Sequence, residues 1–221
     1  MGNVFAHISL FRTLPQTELK TLAARSELRR FRKGETIFSE GQPANAVWIV
    51  IRGWVYLMKR APQGGLVTIF AMMPSEPLCG ISAFDHGTYS ATAVAATDTQ
   101  LIVIPAEAFS DLLDFYPTFG RQVLVTCCDR IRRMAEAISL AQAPVEQRIA
   151  YTLLRLKRSF GNTIPVTHHE LASMVGTRWE TSIRTLSTMK RRGWVASSRG
   201  RITILTPQNL HALLSNGHSP S

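Results

Sequence analysis

The chain has 221 residues, 45% of them apolar, and carries 25 Lys and Arg against 15 Asp and Glu, a net charge of +10. No apolar run approaches the roughly eighteen residues a membrane-spanning helix needs, which excludes a helical membrane protein and leaves room for two small soluble domains. Met1 to His7 lacks the basic-then-apolar layout of a signal peptide, and the three cysteines, Cys79 and the adjacent Cys127 and Cys128, offer neither a disulfide framework nor a metal-ligand spacing, so a cytoplasmic location is expected.

In chain order, Leu14, Leu19 and Leu22 predict a short helical start over Leu10–Leu22. The pattern then turns strand-like at residues 31–38, 46–51, 54–58, 67–71, 90–96 and 100–104, with glycines in nearly every gap. Short strands at such spacing predict an antiparallel β-roll or barrel over residues 1–116, and the interior of a small barrel is a natural place for one ligand.

Residues 118–142 form one long amphipathic segment. Leu124, Ile131 and Ile138 repeat every seven residues, with Cys127, Met134 and Ala141 near the intervening d positions. That pattern predicts a coiled-coil seam within a dimerisation segment, 117–143, and the competing reading is a helix buried on its own barrel. On the seam, Cys127 lies near the two-fold axis as a small hydrophobe rather than a redox switch.

A third region, 144–221, contains two short helical patterns broken at Gly176. The first opens with Thr167 and Glu170, a capping box, and carries Leu171, Met174 and Val175 on one face. The second is expected to begin near Thr177, burying Ile183, Leu186 and Met189 and turning Arg178, Trp179, Glu180 and Arg184 outward. Gly193 suits a left-handed helix end, and Trp194–Ala196 and Arg201–Leu205 read as strands joined through Ser197–Gly200. This is a winged helix-turn-helix. From Pro144 onward eleven Lys and Arg face three Asp and Glu, a balance of +8, against +2 for residues 1–143, where fourteen face twelve. The excess therefore sits on the segment with the reading helix, as phosphate contact requires.

These three parts resemble the catabolite-activator/FNR (CRP/FNR) superfamily of bacterial transcription regulators. The resemblance runs from about Leu10 to Leu205 and is carried by Leu10–Leu14, Lys33–Gly41, Ile51–Tyr56, Arg148–Leu154 and Glu180–Arg184. It implies an α+β fold: a cyclic-nucleotide-binding-like β-roll, a long dimerisation helix and a C-terminal winged helix-turn-helix. It also implies a homodimer on double-stranded DNA, at an inverted repeat with a TGA-like core, with RNA polymerase as a possible second partner. In that family a Glu accepts from cytosine N4 and an Arg four residues on forks onto guanine; Glu180 and Arg184 occupy those places. Trp179 stands where the catabolite activator has a second arginine, so its partner is either a thymine methyl or the sugar–phosphate backbone. Arg178, Thr181, Lys190, Arg199 and Arg201 are the expected phosphate contacts.

The resemblance also defines an effector pocket over Cys79, Gly80, Ile81, Ser82, Tyr89, Ser90 and Ala91. Ile81 stands where cyclic-AMP-binding members have a ribose-binding glutamate and Tyr89 where they have a phosphate-binding arginine, while Arg133 and Met134 replace the hydroxyl pair that meets the adenine. Both ends of the nucleotide lose their charge-matched partners, so an effector other than cyclic AMP is expected. No N-terminal cysteine set exists for an iron–sulfur cluster. Of the haem ligand pair in the family's carbon-monoxide sensor, Cys79 matches the cysteine but Ile81 occupies the histidine's place; His7 and His86 are isolated loop histidines. The readings left open are an apolar or weakly polar ligand in the roll, a nitrogen-oxide-responsive haem, or no ligand and control by expression level.

The rival class, a ligand-binding scaffold or a regulated enzyme, finds little support. There is no Ser-His-Asp layout, no carboxylate pair on a defined face and no phosphate-cradling loop, and the adjacent His168 and His169 point different ways and do not readily share a metal. The tail Ser215–Ser221 reads as disordered.

Overall fold

The computed structural model describes residues 2–62, 64–78 and 87–215. Cys79, Gly80, Ile81, Ser82 and His86, and the tail beyond Ser215, lie outside the described residues. The chain divides into two compact units, Met1–Arg132 and Arg133–Ser221.

The first unit begins with α1 (Gly2–Ala6), a 3₁₀ turn at Ser9–Phe11 and α2 (Gln16–Arg25). The single helix expected over Leu10–Leu22 is thus interrupted. Pro15 fixes its own φ at −59° and stands as the N-cap of α2, so the helix starts one residue later.

Eight strands follow: β1 (Glu27–Phe31), β2 (Thr36–Phe38), β3 (Ala46–Arg52), β4 (Val55–Arg60), β5 (Leu66–Met72), β6 (Pro77–Leu78), β7 (Thr92–Ala95) and β8 (Thr99–Pro105). They form two antiparallel sheets, ordered β1-β8-β3-β6 and β2-β7-β4-β5. The strand pattern expected over 31–38 holds only the last residue of β1 and, after a turn, β2; residues 27–30 of β1 have no counterpart among the expected strands.

Strand β3 explains how the layers assemble. Its run Ala46-Val-Trp-Ile-Val is buried without a gap. Val47 and Ile49 join Ile102 and Ile104 of β8 in a core shared with Phe5, Phe11, Leu19 and Leu22 of the N-terminal segment. Trp48 and Val50 point the other way, into a core completed by Phe38, Val55, Leu57 and Met72 of the second sheet. Successive side chains alternate faces, so a strand covered on both sides has to be apolar throughout.

Helices α3 (Ala106–Phe115) and α4 (Pro117–Ala141) come next. Ala108, Phe109 and Leu112 of α3 and Phe119 and Val123 of α4 close the helical side of the first core.

The second unit contains the end of α4, then α5 (Val145–Phe160), β9 (Thr163–Ile164), α6 (His168–Val175), α7 (Trp179–Arg191), β10 (Val195–Ser198), β11 (Arg201–Ile204) and α8 (Pro207–Ser215). The three strands form one antiparallel sheet in the order β10-β11-β9. Ile149, Leu153 and Leu156 of α5, fully buried, supply the floor on which α6 and α7 sit.

One glycine in the roll is irreplaceable on steric grounds. Gly53, at φ +77°, turns the chain from β3 into β4, and a Cβ there would lie 2.6 Å from the Asp98 carbonyl and 2.7 Å from each of the Thr97 and Thr99 hydroxyls. Those hydroxyls are themselves in use: Thr97 accepts from the Trp54 N–H at 3.3 Å and Thr99 donates to the Trp54 carbonyl at 3.1 Å. Gly53→Ala is expected to destabilise the first unit by about 2–4 kcal/mol, from backbone strain plus overpacking. Urea unfolding followed by tryptophan fluorescence checks this, and an unshifted midpoint would contradict the crowding argument.

Candidate nucleic-acid interface and effector pocket

The reading head is built from its caps outward. Thr167 is the N-cap of α6; its backbone N–H and its hydroxyl both donate to Glu170 Oε2 at 2.9 Å, and the Glu170 N–H donates back to Thr167 Oγ1 at 3.2 Å. The capping box expected from the sequence is therefore present in full. At the other end Gly176 adopts a left-handed conformation, φ 62° and ψ 46°, which ends α6 and redirects the chain.

Arg148 of α5 holds that turn from below. Its Nη1 donates to the carbonyls of Val175 at 3.0 Å and Gly176 at 3.4 Å. A guanidinium here satisfies acceptors that a helix C-terminus leaves without partners and faces the negative end of the α6 dipole. Sequence reasoning noted Arg148 only as part of a family resemblance; its spacing of twenty-eight residues from Gly176 gave no local signal of a contact.

Helix α7 starts at Trp179, two residues later than expected, because Arg178 is extended and serves as N-cap without a side-chain bond. Ser182, Leu186 and Met189 are buried. The expected inner residue Ile183 is only half-buried, and Ser182 takes the deepest place with its hydroxyl lacking a hydrogen-bond partner. Glu180 and Arg184 are exposed, one turn apart. Thr181 is half-buried and its carbonyl accepts from the Thr185 hydroxyl at 2.9 Å. Arg178 and Trp179 are exposed at the start of the helix, while exposed Lys190 lies eleven residues on, roughly 17 Å along the axis. The start and end of α7 thus face different stretches of any partner.

The wing is a two-residue hairpin. Ser198 pairs with Arg201, so only Arg199 and Gly200 form the turn, tighter than the four-residue connection expected. Arg199 and Arg201 are both exposed. Trp179, 49% exposed, and Arg199 both line an open groove of about 520 Å³ together with Thr167, His168, His169 and Ser198. The groove thus joins the N-terminus of α6, the start of α7 and the wing tip. Arg192, which the sequence grouped with Lys190 and Arg191, is tied down instead: Nη1 pairs with Glu146 Oε1 at 2.9 Å and the guanidinium lies 4.9 Å from the Trp194 ring centre.

In the first unit, Tyr89 is buried within the roll. Its hydroxyl accepts from Trp48 Nε1 at 2.9 Å and donates to the Ala46 carbonyl at 3.1 Å, and its ring stacks on Phe38 at 3.9 Å. Ala91 is buried in the same core. Ser90 is exposed, its carbonyl accepting from Lys59 Nζ at 2.7 Å. The hydrogen bond from Lys59 also holds the Glu40 carboxyl below its ordinary value. Arg133 and Met134 belong to the second unit, where Arg133 lines a cavity and Met134 is exposed.

Helix α4 carries two apolar faces. Phe119, Val123 and the half-buried Cys127 pack on their own unit, whereas Leu124, Ile131, Met134 and Ile138 are 66, 65, 46 and 72% exposed. Cys127 therefore partly follows the own-barrel reading, while the other four seam residues are exposed among the described residues.

Comparison with known proteins agrees with this architecture. Residues 28–116 match the cyclic nucleotide-binding domain family and residues 147–213 the Crp-like helix-turn-helix domain family. The chain is similar to the CRP-like cAMP-activated global transcriptional regulator of Mycobacterium tuberculosis, 28% identical over 204 residues covering 88% of this chain and 91% of the other. It is similar to the cyclic AMP receptor protein of Thermus thermophilus, 29% identical over 197 residues with the same shares covered, 88% and 91%. Among solved structures, FixK2 from Bradyrhizobium japonicum superposes with a TM-score of 0.76 at 20% identity, over 85% of this chain and 96% of that one.

The Arg148 clamp yields a local test. Arg148→Met removes both charge-assisted bonds to the turn, a loss of about 1.5–3 kcal/mol. The amide of Thr177, which donates to the Ala172 carbonyl at 3.0 Å, should then exchange with solvent about 10- to 100-fold faster while amides in the roll are unaffected. Unchanged exchange at Thr177 would remove Arg148 from this role.

Proposed function

The chain belongs to the CRP/FNR superfamily of transcription regulators and carries its helix-turn-helix DNA-binding domain, and we propose that it acts as a homodimer reading an inverted repeat with a TGA-like core. The observation that carries this reading is the pair Glu180 and Arg184, exposed one turn apart on a helix whose other side buries Leu186 and Met189. A carboxylate and a guanidinium so spaced match the acceptor and fork that cytosine and guanine edges require. Arg178, Thr181, Lys190, Arg199 and Arg201 supply phosphate contacts, which set the register without reading sequence. Trp179 sits beside the wing groove and so favours the sugar–phosphate backbone over a base methyl. RNA polymerase is the second partner of this reading.

The dimer rests on the uncovered side of α4. Four large apolar side chains in a seven-residue repeat favour a parallel partner helix, and a two-fold seam suits two half-sites. Among the described residues no helix is long and apolar enough to cross a membrane.

Cyclic AMP is not the effector in this reading, although two of the relatives are named for it. Tyr89 offers no cation to a cyclic phosphate, and its hydroxyl is already shared between Trp48 and Ala46. Other effectors are compatible with the roll, as is control by expression level alone.

Selection from a random DNA library at moderate salt should recover a two-fold-symmetric motif. Arg184→Ala or Glu180→Ala is expected to cost about 1–3 kcal/mol of discrimination at the core bases and leave weak, salt-labile binding, whereas Arg199→Ala weakens all sequences alike. Equal loss of specific and random DNA binding in Arg184→Ala would sink the base-reading assignment. For the seam, Leu124→Glu combined with Ile131→Glu should give monomers in sedimentation velocity; a dimer mass retained by the double variant overturns it.

A further inference from the structure

The second unit contains an open cavity of about 880 Å³ that the DNA-binding reading does not use. Its walls are the last turns of α4, the outer side of α5 and the C-terminal part of α8, all within the one unit. The α8 wall is fixed in place: Leu210 is fully buried and Gln147 Nε2 donates to the Leu213 carbonyl at 3.1 Å. The volume is in the range that holds a small organic molecule, roughly 300–1,000 Å³.

The lining is chemically divided. Leu140, Leu154 and Leu214 provide an apolar floor, each half-buried, with one side turned into the cavity. Arg133, Arg155, Lys157 and Arg158 provide the charge, four cations against the single carboxylate of Glu136. That carboxylate is engaged, accepting from the Tyr151 hydroxyl at 2.8 Å. Burial, followed by the hydrogen bond to Glu136, pushes the Tyr151 phenol up to about 12, so it stays a protonated donor to Glu136 at any physiological pH.

A dimer on the proposed α4 seam does not place its partner helix over this cavity. At about 100° per residue, Arg133, Glu136 and Leu140 fall on the side of α4 opposite Ile131, Met134 and Ile138. A partner helix on the exposed apolar stripe therefore leaves this side uncovered.

We infer that this cavity is an effector site separate from the roll and that it takes an amphipathic small-molecule carboxylate, its apolar body on Leu140, Leu154 and Leu214 and its anionic head among Arg155, Lys157 and Arg158. The inference rests on the reading of the chain as a DNA-binding regulator for the word effector, and on the cavity alone for the ligand class. A bound molecule joins the end of α4 and α8 to α5, the helix on which α6 and α7 sit. A duplex phosphate is the rival partner for these cations, and the test separates the two.

Decanoate serves as the probe, titrated calorimetrically into the full-length protein, with decyltrimethylammonium as the cationic counterpart of equal chain length. One decanoate should bind per protomer, the ammonium at least tenfold more weakly, and Lys157→Glu with Arg158→Glu should weaken decanoate at least tenfold; if that pair does not fold, Lys157→Gln with Arg158→Gln replaces it. Saturating decanoate should also shift affinity for the selected inverted repeat at least threefold. Absent decanoate binding, equal binding by the charge variants, equal binding of the ammonium, or an unshifted DNA affinity each overturns the proposal. Loss of DNA affinity by the charge variants without decanoate assigns the cations to phosphate and overturns it while the DNA-binding reading stands. Decanoate binding in a protein that selects no DNA motif instead defeats that reading and leaves the ligand class intact.

Discussion

Ala46 to Val50 can face water on neither side, and the whole first unit is arranged around that requirement. Val47 and Ile49 need a helical cover, which forces the N-terminal segment, α3 and the start of α4 onto one face of the sheet. Trp48 and Val50 need a second sheet on the other face, which closes the roll. A large aromatic in the middle of that interior then determines what else fits. Trp48 brings an indole N–H that must be satisfied when buried, and Tyr89 is the residue that accepts from it. Among the described residues, hydrogen bonds and aromatic contacts link Trp48, Tyr89 and Phe38 in the interior of this roll.

The second unit obeys a different constraint. Helix α6 has only eight residues, and a short helix rests on its ends, where N–H and C=O groups lack partners. Thr167 and Glu170 close the start of α6, Arg148 and Gly176 close its end, and Gly193, at φ 72°, follows the end of α7. With those ends held, α7 can present a polar outer face without depending on its own helix propensity. The charge excess of this region accumulates where burial makes no demand: at Arg178 and Arg184, at Lys190 and on the wing. Arg148 and Arg192 are exceptions, the first held by the Val175 and Gly176 carbonyls and the second by Glu146 and Trp194.

Legibility in the sequence followed the range of the interactions. The capping box, the Gly176 turn and the seven-residue repeat of α4 are local patterns, and each can be read from a few neighbouring residues. The run Ala46–Ile51 signalled a strand because both faces are buried, whereas β1, Glu-Leu-Arg-Arg-Phe, is almost wholly exposed at a sheet edge and carries no alternation to detect. The break at Pro15 was available in principle, since proline marks helix starts, but the leucine spacing across it outweighed the signal. Ser182 was invisible for the opposite reason: a polar residue at a buried helical position runs against the periodicity by which faces are assigned. Arg148, the Tyr89–Trp48 bond and the cavity beside α5 depend on residues far apart in sequence, and no spacing rule reaches them.

The Trp48–Tyr89–Ala46 arrangement limits which single substitutions the interior of this roll accepts. Replacing Tyr89 by the arginine a cyclic phosphate requires would strand the indole N–H, leave the Ala46 carbonyl short of a donor and remove the ring that stacks on Phe38. An arginine at residue 89 therefore calls for Trp48 and Phe38 to change along with it, because each single step passes through an intermediate with an unsatisfied buried group or an emptied aromatic site. Such coupling acts as a ratchet: a change at any one of Phe38, Trp48 and Tyr89 fits the closed interior only together with changes at the others.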